Sequence, residues 1–192
     1  MTGAGHAAVV AVAGPPGGGK TTLVRLLSTR LSAPSLHYDD FEQITRRTPA
    51  EVEAWLDRGA PADEVPLPGF AEALMHLRQG GTRQVILDFL LARAHAPTAA
   101  LIDFMIWIDT PLDIALSRTL REQVALARTG AAAAGFLDWL AAYLDSYARV
   151  MHRGYQVQRT TVRGKADMIL DGLLAPEELA ARAAAEILRR FP

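Results

Sequence analysis

Apolar residues fall along this chain as short continuous runs, separated by stretches in which they recur every three or four positions. The first run, Ala7 to Ala13, ends at Gly14, and from Lys20 to Leu31 the residues Leu23, Leu26, Leu27 and Leu31 keep helical spacing. That order predicts a strand, a glycine loop and a helix. Ser35 to Tyr38 predicts a second strand, followed by Asp39 and Asp40. Helical stretches then follow at Pro49 to Leu56 and Phe70 to Arg78, with Pro61, Pro66 and Pro68 in the loop between them. Gln84 to Leu91 and Phe104 to Ile108 are apolar, too short for independent helices and without strict alternation, the pattern of strands covered on both faces.

Thr110 followed by Pro111 predicts an N-cap and a proline at the first helical position, opening a helix with Leu112, Ala115, Leu116 and Leu120 on one side. Gly130 to Gly135, with four alanines between its glycines, separates that helix from an amphipathic one carrying Phe136, Leu140, Tyr143, Leu144, Tyr147 and Met151. Met168 to Leu170 predicts a last strand and Pro176 to Arg190 a terminal helix. Strands alternating with helices give a three-layer α/β/α fold with a mainly parallel five-stranded sheet. One domain is expected over residues 1–192, with a helical lid at about 118–135.

Composition narrows the function classes. Among 192 residues the formal net charge is −1, so there is no basic field of the kind that holds a phosphate backbone, and nucleic acid is not an expected partner. Cysteine is absent, which excludes disulfides and thiolate metal sites. The apolar opening has no basic flank and runs into glycines, so it reads as a buried strand; no membrane partner is expected, and the cytoplasm is the expected compartment.

The most specific chemistry lies in Gly14-Pro15-Pro16-Gly17-Gly18-Gly19-Lys20-Thr21, which fits G-x-x-x-x-G-K-[ST] at every fixed position and is followed by Thr22. Glycines let backbone N–H groups face a phosphate, and the start of the following helix adds a positive field. In such a loop Lys20 reaches the β- and γ-phosphates and the Thr21 hydroxyl ligates magnesium, so ATP with Mg2+ is the expected ligand. Asp88, inside an apolar run, is the candidate second magnesium residue, because a buried unpaired carboxylate is costly; a hydrogen-bonded structural acid is the alternative. Asp39 and Asp40 follow a predicted strand at the sheet end where ligands bind, and one of them could accept a proton; a turn cap is the plainer alternative.

Arg118, Arg121 and Arg128 share a basic segment before the alanine tract and are candidates to close over ATP and neutralise charge. The five histidines lack ligand spacing. Trp55, with apolar neighbours, reads first as a core or interface residue, and lining an acceptor pocket is its alternative role.

Together these segments resemble the uridine kinase and phosphoribulokinase superfamily of P-loop small-molecule kinases, which includes nicotinamide riboside kinase. The resemblance runs through the glycine loop, Tyr38-Asp39-Asp40-Phe41, Val85 to Leu91, Ile106 to Thr110, Ser117 to Glu122 and Ala166 to Leu170. It implies transfer of the γ-phosphate to a hydroxyl of a small molecule, with Asp39 as catalytic base, Arg118, Arg121 and Arg128 as lid arginines, and Asp88 as the third-strand acid. Uridine kinases carry a base-gripping hairpin where this chain has only Gln79 to Arg83, so uridine and cytidine are expected to be poor acceptors. Asp40, Phe41, Trp55, Arg93 and His95 are then the candidates to line the acceptor pocket. A nucleotide-hydrolysing switch or accessory ATPase without an acceptor is the alternative, and a homodimer is left open.

Overall fold

A computed structural model of the chain describes residues 6–129 and 134–192. Its centre is strand β1 (Ala8–Ala13), which pairs in parallel with β3 (Gln84–Asp88) on one side and β4 (Phe104–Asp109) on the other. β2 (Ser35–His37) lies outside β3, and β5 (Met168–Asp171) outside β4, giving the order β2-β3-β1-β4-β5. Side chains alternate across a strand. Val9, Ala11, Val85, Leu87, Met105 and Trp107 therefore enter one core, and Val10, Val12, Ile86, Phe104, Ile106 and Ile108 the other. Two apolar faces explain why the strands read as unbroken runs.

Helices cover both faces. Against the second core lie α1 (Lys20–Leu31), burying Leu23, Val24 and Leu27, and α8 (Pro176–Arg190), burying Leu179, Ala180, Ala183 and Ile187. Each fully buried large aliphatic side chain contributes roughly 1.5–3 kcal/mol of transfer free energy. Against the first core lie α2 (Pro49–Asp57) and α3 (Phe70–Gln79), with Trp55, Leu56, Phe70 and Leu74 inside. Helix α2 starts at a capping box, in which Glu51 N donates to Thr48 Oγ1 and Thr48 N to Glu51 Oε2. A short α4 (Ala96–Ala99) precedes β4, and α5 (Leu112–Arg128) leaves it. The chain returns through α6 (Phe136–Ser146), a π-helical turn at Tyr147–Met151 and α7 (His152–Arg163).

Three boundaries differ from the expectation. β3 stops at Asp88 and not Leu91: Phe89 N still donates to Val12 O (3.1 Å), but β1 ends at Ala13 and β2 at His37, which leaves Leu90 and Leu91 beyond the ends of both neighbours. Pro111, extended at ψ 141, is the N-cap of α5, and Thr110 uses its hydroxyl elsewhere. Helix α7 has polar composition, Gly154 and adjacent β-branched Thr160, Thr161 and Val162, so local preference is weak; packing of Gln158 and Val162 holds it. Part of the expected lid, residues 130–133, lies outside the described residues. No described helix is long and apolar enough to cross a membrane.

Candidate active site

The glycine loop connects β1 to α1 and is fitted against α5. Gly17 has φ 73°, and a Cβ there would overlap the Ala115 carbonyl oxygen and stand 2.5 Å from Thr119 Oγ1. Gly19, at φ 98°, is the left-handed residue before α1. Gly18 N donates to Pro15 O (2.9 Å) and closes the turn, and the Thr110 hydroxyl donates to Gly18 O (3.0 Å), tying the loop to the end of β4. The first bond of α1 runs from Leu23 N to Gly19 O (3.0 Å). Amides before it have no intrahelical acceptor and are available to an anion.

Three parallel strands bring the charged groups to this loop. The register sets Asp88 beside Val12 of β1 and His37 of β2. Thr21 Oγ1 donates to Asp88 Oδ2 at 2.6 Å, and His37 Nδ1 lies 3.6 Å from the same oxygen. Lys20 Nζ donates to Pro15 O (3.2 Å). Burial lowers the Lys20 pKa, and the nearby Asp88 and Asp39 carboxylates push it back up. Among the described residues no group of three or more His, Cys, Asp or Glu is placed to hold a metal. The Thr21 hydroxyl and Asp88 carboxylate are nevertheless two oxygen donors meeting at one point. That set fits magnesium, which takes one or two protein ligands and fills its shell with phosphate oxygens and water.

Asp39 stands on the 3-10 turn Tyr38–Asp40, directly after β2. Its carboxyl pKa is raised, first by loss of solvent around the carboxyl and next by Asp88, with Lys20 opposing. The residue as a whole is exposed, and with Pro16 of the glycine loop it lines a cavity of about 440 Å3. Trp55 and Leu56 of α2, Val65, Leu90, and Val150 and Tyr155 from the returning helices form much of its wall. Gln158 joins wall and loop: its Nε2 donates to Leu90 O (2.8 Å) and Gly14 O (3.2 Å).

The structure gathers Lys20, Thr21, Asp88 and Asp39 at one place and sets Trp55 in the adjoining wall, with its Nε1 donating to Pro61 O (3.1 Å). The other expected pocket residues lie elsewhere. Asp40 is exposed, and Phe41 packs edge-on against Phe70. Arg93 does not line the cavity, because its guanidinium is held by the Ile102, Asp103 and Lys165 carbonyls and by Asp167 at 2.8 Å. His95 is likewise absent from the wall, being buried with Nδ1 2.9 Å from Thr98 Oγ1. Arg118 donates to Gly172 O (2.9 Å) at the turn after β5. Arg121 and Arg128 are exposed along a separate open groove on α5 of about 810 Å3.

The sequence did not single out Tyr38, Glu42, Arg47, Tyr155 or Gln158, all of which line the cavity. Nor did it single out Arg159 and Arg163, which pair with Asp109 at 2.8 and 3.2 Å. Glu42, four residues beyond Tyr38 and on the same turn as Asp39, was within reach of the strand-end argument; the residues on α7 carried no periodic signal.

No protein-family model matches the sequence, and a search of curated proteins found no relative. Solved structures resemble the fold. A gluconokinase from Sinorhizobium meliloti superposes with a TM-score of 0.53 at 14% identity, over 97% of this chain and 94% of the other. Shikimate kinase from Aquifex aeolicus gives 0.50 at 18% identity over 95% and 97%, and a sugar kinase from Janibacter sp. gives 0.50 at 18% over 93% of each. At these identities the likeness is one of fold: a three-layer α/β/α domain with a five-stranded parallel sheet.

Proposed function

We propose that this chain is a kinase that transfers the γ-phosphoryl group of ATP to a hydroxyl of a small molecule. One observation carries the reading: Asp39, electrostatically coupled to Lys20 and Asp88, lines together with Pro16 of the glycine loop a cavity where an acceptor would sit. A hydrolase acting as a switch has no need of such a cavity. The kinases among the structural neighbours support the same class, and the finer likeness to uridine kinase belongs to this proposal.

In the proposed reaction the Asp39 carboxylate takes the proton of the acceptor hydroxyl as its oxygen bonds to the γ-phosphorus. The bond from that phosphorus to the β–γ bridging oxygen breaks, and ADP leaves with the electron pair. A raised pKa makes Asp39 a stronger base than an ordinary carboxylate. Lys20 and the opening amides of α1 stabilise charge on the phosphates. Thr21 and Asp88 would hold magnesium, whose chemistry when bound is to neutralise the β- and γ-phosphate oxygens. Arg118, Arg121 and Arg128 would have to approach by movement of α5, since none of them lines the cavity.

A coupled ADP-release screen over hydroxylated small molecules tests the proposal. Release that depends on an acceptor supports it; ATP turnover indifferent to every acceptor overturns it in favour of a hydrolase.

A further inference from the structure

We infer that the acceptor is an uncharged alcohol with a largely apolar body, and not a hydroxy acid or polyol. Its role as acceptor rests on the phosphotransfer reading above; its binding to the cavity does not.

The volume of about 440 Å3 falls within the roughly 300–1,000 Å3 of pockets for small organic ligands. Away from Asp39 much of the wall is apolar, with Ile44, Val52, Trp55, Leu56, Val65 and Val150 supplied by four separate segments. The Trp55 ring contributes apolar area there, because its one polar atom is engaged by Pro61 O. A polyol hydroxyl laid on such a wall loses its water and gains no partner, a penalty of about 1–3 kcal/mol for each group.

Charge excludes acids independently. Asp39 and Glu42 both line the cavity, and among the described lining residues Arg47 is the one cation. Arg47 Nη2 already donates to Glu64 O at 2.6 Å. A carboxylate ligand would stand beside the Asp39 carboxylate, with a guanidinium that is already partly engaged as its one cation in the lining. Beside Asp39, Glu42 and Arg47 the polar lining is confined to the hydroxyl-bearing Tyr38, Ser146 and Tyr155 and to Gln158, whose Nε2 is fixed by two backbone carbonyls. One O–H on the ligand, in addition to the reacting hydroxyl, can pair with such a hydroxyl.

Gly154 offers the test. It is helical, it lines the cavity, and a Cβ there meets within 4 Å only Leu56 Cδ2, at 3.6 Å. Gly154→Ala therefore serves as a folding control, and Gly154→Leu fills the space. Binding by calorimetry and acceptor-dependent ADP release are measured side by side for tyrosol (an aryl alkanol with one further O–H donor), gluconate, shikimate and glycerol. Tyrosol is expected to bind at least about 10-fold more tightly than the others and to show kcat/KM at least about 100-fold higher. Gly154→Leu is expected to weaken tyrosol binding by about 10-fold or more while Mg-ATP affinity stays unchanged. Tighter binding of gluconate, shikimate or glycerol overturns the inference, as does a Gly154→Leu variant that is folded and binds tyrosol like wild type. Tyrosol binding that Gly154→Leu abolishes, without any ADP release, upholds the ligand class and sinks the phosphotransfer reading. ADP release that is best with gluconate does the reverse.

Discussion

Alanine at Gly17 and alanine at Gly19 should have unequal consequences, although the two positions share the same loop and the same backbone sign. Both have positive φ, 73° and 98°, and a left-handed conformation costs a residue with a Cβ roughly 1–2 kcal/mol. The difference is space. A Cβ on Gly19 meets nothing within 4 Å, while one on Gly17 runs into the Ala115 carbonyl and stands 2.5 Å from Thr119 Oγ1. The Thr119 hydroxyl is itself donated to Ala115 O (3.1 Å), so it cannot swing aside freely. Overpacking adds about 1–3 kcal/mol. Gly17→Ala should thus lose about 1–3 kcal/mol more than Gly19→Ala. At roughly 2–4 °C per kcal/mol for a chain of this size, this is a Tm difference of about 2–12 °C. Thermal unfolding followed by circular dichroism reads it directly, and Gly17→Ala with Thr119→Ala should recover part of the loss. Equal Tm values for the two single variants would refute the claim that the loop is wedged against α5.

Lys20→Ala should abolish measurable phosphoryl transfer with the circular dichroism spectrum unchanged; turnover like wild type would reject the loop mechanism. Because the Asp39 pKa is raised, the acid limb of kcat/KM against pH should lie above the ordinary carboxylate value of about 3.9, and a limb at or below that value would contradict the electrostatics. The native state then holds that proton more strongly than the unfolded chain, so stability is lost as pH rises through the folded pKa. Asp39→Asn should accordingly leave Tm at pH 7 equal or higher, and a clear drop in Tm would argue that the carboxylate is a structural partner. Amide exchange across residues 118–129 should slow when Mg-ATP and an acceptor bind, and unchanged exchange would mark α5 as a static surface helix.

What could be read from the sequence were features with strong local signatures. The apolar runs gave the three central strands, β1, β3 and β4, because they are buried on both faces, and the loop through Lys20 and Thr21 was legible because its glycines keep a fixed motif spacing. Asp88 stood out as a charge in an apolar run, and the register puts it beside Thr21. The acceptor wall was harder. Arg93 and His95 follow β3 closely enough to invite a place in the pocket, yet the chain turns at Ala92, with φ 41°, and directs both into structural bonds. Tyr155 and Gln158 reach the cavity only because α7 packs across the end of the sheet, a tertiary fact with no local trace in a polar, glycine-containing helix.

The central claim is that Asp39 takes the proton from an acceptor hydroxyl during phosphoryl transfer. Single-turnover transfer of the labelled γ-phosphate from Mg-ATP to the best acceptor, compared in wild type and Asp39→Asn with the Mg-ATP Kd measured alongside, tests it most directly. The transfer rate should fall by roughly 10²–10⁴-fold with the Kd nearly unchanged. A transfer rate like wild type, or a loss explained entirely by weakened ATP binding, would contradict it.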